Sequence, residues 1–147
     1  MRLPEPIPGL VVPYSYLWWY EDNKGLDEGR KVRPCAIVLS AQHEDGQTIV
    51  TVVPITHAKP DAMNTTAVEI PLSVKKHLGL DSQRSWVITN EVNQFFWPGP
   101  DLKPILKGSK KRYAYGVLPP KLFKMIKQSL LETVRAKRLK AVKRTDS

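Results

Sequence analysis

Pro34-Cys35-Ala36-Ile37-Val38-Leu39-Ser40-Ala41, then Glu44-Asp45-Gly46, then Thr48-Ile49-Val50-Thr51-Val52-Val53-Pro54-Ile55 is the stretch that decides the fold. Two apolar runs rich in β-branched residues flank an Asp-Gly pair. That pair suits the positive-φ positions of a tight turn, so the stretch predicts two antiparallel strands joined as a hairpin. Toward the N-terminus, Val11 to Tyr20 is aromatic and β-branched and follows Pro6-Ile7-Pro8-Gly9, which predicts a first strand entered from a turn. The polar segment Glu21 to Lys31, with Gly25 and Gly29, reads as a mobile loop.

Downstream, Ala67 to Ile70 predicts a short strand and Pro71 to Leu78 a short helix, since proline suits a first helical turn and Gly79 the residue past its end. Ser85 to Phe96 predicts another strand. Residues 98–112 hold Pro98, Gly99, Pro100, Pro104 and Gly108, and read as a loop ending in the basic cluster Lys107, Lys110, Lys111 and Arg112. After Pro119-Pro120, Phe123, Ile126, Leu130 and Val134 recur every three or four residues, the spacing of a helix with one face on a core. The Lys- and Arg-dense segment Arg135 to Arg144 has little to pack and reads as a frayed extension. Short strands followed by one closing helix predict a mainly β domain with a C-terminal helix (α+β), bent into a small barrel whose closure hides strand edges. A chain of 147 residues predicts a single domain over 1–147, with a core at about 7–135 and a basic tail at 136–147.

Lys and Arg number 23 against 14 Asp and Glu, giving +9 and a pI near 9.7. Such a molecule attracts polyanions at long range, so nucleic acid is the first partner to consider; the bland alternative is a basic tail that only keeps the chain solvated. No apolar run approaches the ~20 residues of a membrane helix, and the N-terminus lacks the pattern of a secretory leader, which predicts a cytoplasmic protein away from membranes. The single cysteine, Cys35, has no partner for an internal disulfide, and no C-x-x-C or histidine cluster offers a metal cage, so neither metal nor cofactor is expected.

Arg33-Pro34-Cys35-Ala36-Ile37-Val38-Leu39-Ser40 and then Val53-Pro54-Ile55-Thr56-His57 resemble the MazF/PemK family of toxin ribonucleases. In that family an Arg-Pro segment opens one strand and a Pro-Ile-Thr or similar segment ends the next. Gly9-Leu10-Val11-Val12 is similar to its opening strand, Leu78-Gly79-Leu80-Asp81 with Ser85-Trp86-Val87-Ile88 to its late strand, and the closing helix falls in the family's place. The likeness runs from about 7 to 135. It implies an SH3-like barrel, a homodimer, and the toxin half of a type II toxin–antitoxin system that cuts single-stranded RNA, messenger RNA included, without a metal. It also implies a cognate antitoxin that blocks the groove, and DNA contact only through the complex with that antitoxin. Four features depart from the pattern: Asn93-Gln94 where the family commonly has Arg-Thr, the Tyr16-Leu17-Trp18-Trp19-Tyr20 run, the Phe95-Phe96-Trp97-Pro98-Gly99-Pro100-Asp101-Leu102 segment, and the basic tail.

RNA carries its own nucleophile, the 2′-hydroxyl, so a few side chains suffice for a cut that leaves a 2′,3′-cyclic phosphate and a 5′-hydroxyl. Arg33 suits the non-bridging oxygens through its planar fork, and Pro34 stiffens its backbone. Thr56 can donate to the same phosphate or orient the 2′-hydroxyl. Glu91 is the favoured proton acceptor; His57 and Asn93 are further candidates for catalysis or RNA binding. Lys24, Arg30 and Lys31 beside the first loop, with Trp19 and Trp97 as stacking platforms, are candidate RNA contacts. Each has a bland reading: a salt bridge of Arg33 with Glu21, Asp27 or Glu28, a strand-end hydroxyl for Thr56, a cross-strand partner of lysine for Glu91, a surface histidine, and solvated lysines. Two rival functions stay open, a barrel that binds nucleic acid without cutting and a peptide-binding interaction module.

Overall fold

The computed structural model describes residues 3–25, 31–61 and 66–144. The quoted stretch forms the predicted hairpin, β2 (Arg33–Gln42) against β3 (Thr48–Thr56), in a register that runs from Cys35–Pro54 to Gln42–Thr48. Gly46, at φ +87°, supplies the turn conformation that an Asp-Gly pair predicts. A register shift between Ile37 and Leu39 adds a bulge that sharpens the twist of the pair.

Around this hairpin grows a curled, mainly antiparallel sheet. β1 (Leu10–Tyr14) pairs with β2, β6 (Glu91–Phe96) pairs with β3, and β9 (Gly116–Val117) closes the far edge on β1. Two short strands, β4 (Val68–Glu69) and β5 (Trp86–Val87), extend the sheet from the end of β3. The helices are α1 (Trp19–Asn23), α2 (Leu72–His77) and α3 (Pro120–Arg135), so the expected mainly β domain with a C-terminal helix stands.

The central strands have no solvent-facing side along their middles. Val11, Ala36, Val38, Val53 and Ile55 pack into one cluster with Leu122 and Ile126 of α3. Their neighbours in sequence, Val12, Cys35, Ile37 and Val52, fall to a second cluster with Tyr14, Tyr16 and Phe95. Strand side chains alternate between faces, and both faces are covered, which is why the sequence here is continuously apolar.

Five local expectations need correction. The first strand stops at Tyr14 and the chain crosses β6 instead, because the Asn93 amide grips the backbone of Leu17 and Glu91 accepts from the N–H of Trp19. The loop expected from Glu21 begins as α1, whose first turn is fixed by the buried Glu21 carboxylate accepting from Trp18 N at 3.0 Å; residues 26–30 lie outside the described residues. The single strand expected over 85–96 breaks at Ile88–Asn90, where Thr89 bonds Ser129 Oγ and the carbonyl of Thr66. Within 98–112 the chain forms a small hairpin, β7 (Ile105–Lys107) and β8 (Lys110–Arg112). Finally, the segment expected to be a frayed tail is ordered: β10 (Lys140–Lys143) pairs in parallel with β6, Val142 is buried, and Arg144 bridges to Asp101 at 2.9 Å.

The buried stripe of α3 is Leu122, Ile126, Ser129 and Thr133, rotated from the apolar one; Phe123 and Leu130 flank it half-buried and Val134 is exposed. Hydroxyl bonds from Ser129 to the Thr66 carbonyl and from Thr133 to the Thr89 carbonyl hold this polar half against the sheet. Among the described residues no helix is long and apolar enough to cross a membrane.

Candidate active site

Arg33 is the first residue of β2 and Thr56 the last of β3. The β2–β3 ladder ends at Cys35–Pro54; beyond it Arg33 pairs with Tyr14 of β1 and Thr56 with Trp86 of β5, so both residues stand at the same end of the hairpin. Both line a cleft of about 540 Å³, together with Trp18, Lys31, His57 and Glu91.

Each group carries a distinct chemistry. The Arg33 guanidinium lies over the Trp18 ring, 5.0 Å from its centroid, while its buried Nε has no hydrogen-bond partner. A desolvated donor of this kind is costly unless something accepts from it. The Glu21 carboxylate accepts from the Trp18 backbone. Thr56 Oγ1 accepts from Ala58 N at 3.1 Å, so its hydroxyl proton remains available for donation. Glu91 Oε1 accepts from Tyr16 Oη and from Trp19 N, each at 3.0 Å, which leaves Oε2 to take a proton. Burial pushes the Glu91 carboxyl above its ordinary value, although those two hydrogen bonds and Lys140 pull the other way.

The remaining candidates divide. Lys31 lies on the cleft rim. His57 lines the cleft but its Nε2 is 2.6 Å from Asp81 Oδ2. The other oxygen of Asp81 takes the ammonium of buried Lys75 at 2.6 Å, and this holds the Asp81 carboxyl below its ordinary value. Trp19 sits just beyond the cleft, under the Lys140 ammonium at 4.1 Å from its ring centroid. Asn93 is fully buried and clamps Leu17 from both sides, donating to its carbonyl at 2.8 Å and accepting from its N–H at 2.9 Å. That side chain serves the backbone and does not reach the cleft. Trp97 packs half-buried against the second core cluster, tilted at 6.2 Å from Phe95. Lys24 stands over the Tyr20 ring at 5.8 Å. Arg30, like Asp27 and Glu28, lies outside the described residues.

Sequence reasoning passes over Trp18, Lys59 and Asn90, which also line the cleft. The first strand ends at Tyr14, and past it the chain turns Trp18, not Trp19, toward Arg33.

Residues 16–95, 80 of the 147, match the family described as PemK-like, MazF-like toxin of type II toxin–antitoxin system. The chain belongs to this family. The fold of this PemK-like chain is similar to that of a solved structure described as an endoribonuclease in complex with its cognate antitoxin from a mycobacterial species. The identity is 15%, the TM-score 0.53, and the likeness covers 89% of this chain and 96% of that one. No curated protein matches. The family match includes Arg33, Thr56, His57, Glu91 and Asn93 but ends before Trp97 and β10. Basic residues after α3 are thus additions to the matched portion of this PemK-like chain.

Proposed function

We propose that this PemK-like toxin is an endoribonuclease that cuts single-stranded RNA, messenger RNA included, at the cleft between the start of β2 and the end of β3. The observation that carries the reading is the meeting of Arg33 and Thr56, with Glu91, in one open cleft of a chain that belongs to a toxin family. Arg33 would hold the non-bridging oxygens of the scissile phosphate, with Trp18 fixing the plane of its guanidinium. Thr56 would donate its hydroxyl proton to the same phosphate.

Glu91 then takes the proton of the 2′-hydroxyl as that oxygen attacks phosphorus. Burial raises its proton affinity and makes it a stronger base than an exposed carboxylate, while the hydrogen bonds from Trp19 and Tyr16 and the charge of Lys140 favour the ionised form. The bond to the 5′-oxygen breaks, leaving a 2′,3′-cyclic phosphate and a 5′-hydroxyl once that oxygen is protonated. Because the nucleophile belongs to the RNA, the route as drawn relies on side chains alone, without a metal.

The mycobacterial neighbour is bound to its antitoxin, and we extend the same kind of partner to this chain: a cognate antitoxin occupying the cleft, with an acidic segment answering the +9 charge. A homodimer, and DNA contact made through the antitoxin, complete the proposal. The decisive experiment incubates the purified protein with a long unstructured RNA in EDTA and maps the ends. Discrete fragments with cyclic phosphate ends, lost in Arg33→Ala, support the reading; intact RNA bound tightly by the parent protein refutes it.

A further inference from the structure

The cleft does not stop at Glu91. A second hollow, about 700 Å³, opens beside it and shares Tyr20, Asn90 and Glu91 with the first, so the two adjoin along these residues. Its far wall is the turn between α3 and β10, which the family match leaves out.

That turn is built to present cations. Lys137 takes a left-handed conformation, φ +56°, and the backbone closes through Lys137 N to the Val134 carbonyl at 3.0 Å and Arg138 N to the Thr133 carbonyl at 2.9 Å. Lys140 N then donates to the Asn90 carbonyl, starting the parallel ladder with Lys140 in register with Glu91. Lys137, Arg138 and Lys140 therefore line the hollow together with Trp19 and Tyr20, the Lys140 ammonium lying over the Trp19 ring at 4.1 Å. Tyr20 is 49% exposed, with the Lys24 ammonium 5.8 Å from its ring centroid, so a second cation stands beside this aromatic. Two carboxylates, Asp61 and Glu91, also line it, so the excess of charge is positive but small, and a ligand must gain from stacking as well as from attraction.

Cations beside aromatics in a hollow that adjoins the cleft are the chemistry that holds an unpaired nucleotide: the base stacks and the phosphate meets ammonium or guanidinium. We propose that the Lys137–Lys140 turn, with Trp19 and Tyr20, is an RNA subsite for nucleotides flanking the scissile phosphate on one side. The proposal rests on the ribonuclease reading above. It makes β10 a specificity element that lengthens the RNA segment this toxin grips.

The test uses three RNAs with one cleavage word: a short one ending at the scissile dinucleotide, one extended on its 5′ side and one on its 3′ side. The parent protein should show a lower KM for one extended RNA than for the short one. Arg138→Glu should raise that KM about fivefold or more while leaving kcat, and the KM of the short RNA, unchanged. The salt dependence of binding should flatten by about 0.7 for each phosphate that is no longer neutralised. Lys137→Gln, a milder change, should move the same KM in the same direction, and an unchanged Tm in either variant separates the effect from misfolding. If the parent cuts but both variants treat all three RNAs as it does, the subsite is refuted and the ribonuclease reading survives. If the variants weaken polyglutamate binding and spare every RNA KM, the hollow is an acidic-peptide site and the subsite fails. A parent that cuts no RNA overturns both.

Discussion

Arg33 opens the second strand and Thr56 closes the third, so both stand at one end of the hairpin and line the same cleft. A guanidinium and a hydroxyl thus meet without any loop having to bring them together. Each is held in a ladder of its own, Arg33 against Tyr14 of β1 and Thr56 against Trp86 of β5, so both are borne on ordered strands.

Arg33→Ala should therefore lower single-turnover cleavage by roughly 10²- to 10³-fold, the usual cost of one preorganised donor to a developing anion. Arg33→Lys should recover only part of that loss, since an ammonium keeps the charge but not the planar fork. Thr56→Ala should fall in the same range, and Thr56→Ser should stay close to the parent. Equal activity of Arg33→Lys and the parent would show that only charge matters at this position.

Glu91 makes a prediction in pH. Its carboxyl titrates above its ordinary value of 4.5 because burial disfavours the charged form, so cleavage should rise with pH along a limb centred above that value and vanish in Glu91→Gln. For stability the sign is opposite. A raised folded-state value favours the protonated form, so the contribution is full below about 4.5 and is lost as pH rises through the folded value. Glu91→Gln should then melt above the parent near neutrality, with the gap closing in acid. Thermal melts from about pH 4 to about pH 8 read this directly.

Asn93 holds the chain where it leaves β1. Asn93→Ala strips both hydrogen bonds from the buried backbone of Leu17, each worth about 1–3 kcal/mol when left unmet. Urea denaturation should show a loss of roughly 2–4 kcal/mol. Activity should fall too, because Trp18, one residue on, supports the Arg33 guanidinium. An Asn93→Ala protein as stable as the parent would contradict the clamp.

Arg144 and Asp101 tie the C-terminal strand to the loop after the cis Trp97–Pro98 bond. Arg144→Ala leaves Asp101 nearly buried without its ion-pair partner and should cost roughly 3 kcal/mol, about 10 °C in Tm for a chain of this size. Asp101→Asn in the same protein should restore part of the loss. Independent, additive effects of the two substitutions would refute the coupling.

Much of this architecture is legible in the amino-acid sequence alone. The hairpin follows from Asp45-Gly46 between apolar runs, and the helix at Pro120 from its proline start and spacing. Arg33 and Thr56 stand out because Arg33-Pro34 and Pro54-Ile55-Thr56 resemble, in order, the strand segments of the MazF/PemK family. What stays hidden is long-range. The grip of Asn93 on Leu17 spans 76 residues, and it ends the first strand and turns Trp18 toward Arg33. Nor does a hydrophobic pattern register Ser129 and Thr133, whose hydroxyls are buried because the carbonyls of Thr66 and Thr89 accept from them. The tail misleads for a related reason: Lys140 to Arg144 contains one large apolar anchor, Val142, and its order comes from β6 and Asp101.

The parallel pairing of β10 with β6 has a consequence in time. A ribosome delivers β10 later than β1 through β9 and after α3, so during synthesis the outer edge of β6 waits bare, its N–H and C=O groups unanswered. Until that last strand docks, Glu91 lacks Lys140 at its side. A nascent polypeptide therefore carries the whole hairpin before Lys140 stands beside Glu91, and the open edge of β6 is answered only once β10 has been laid down.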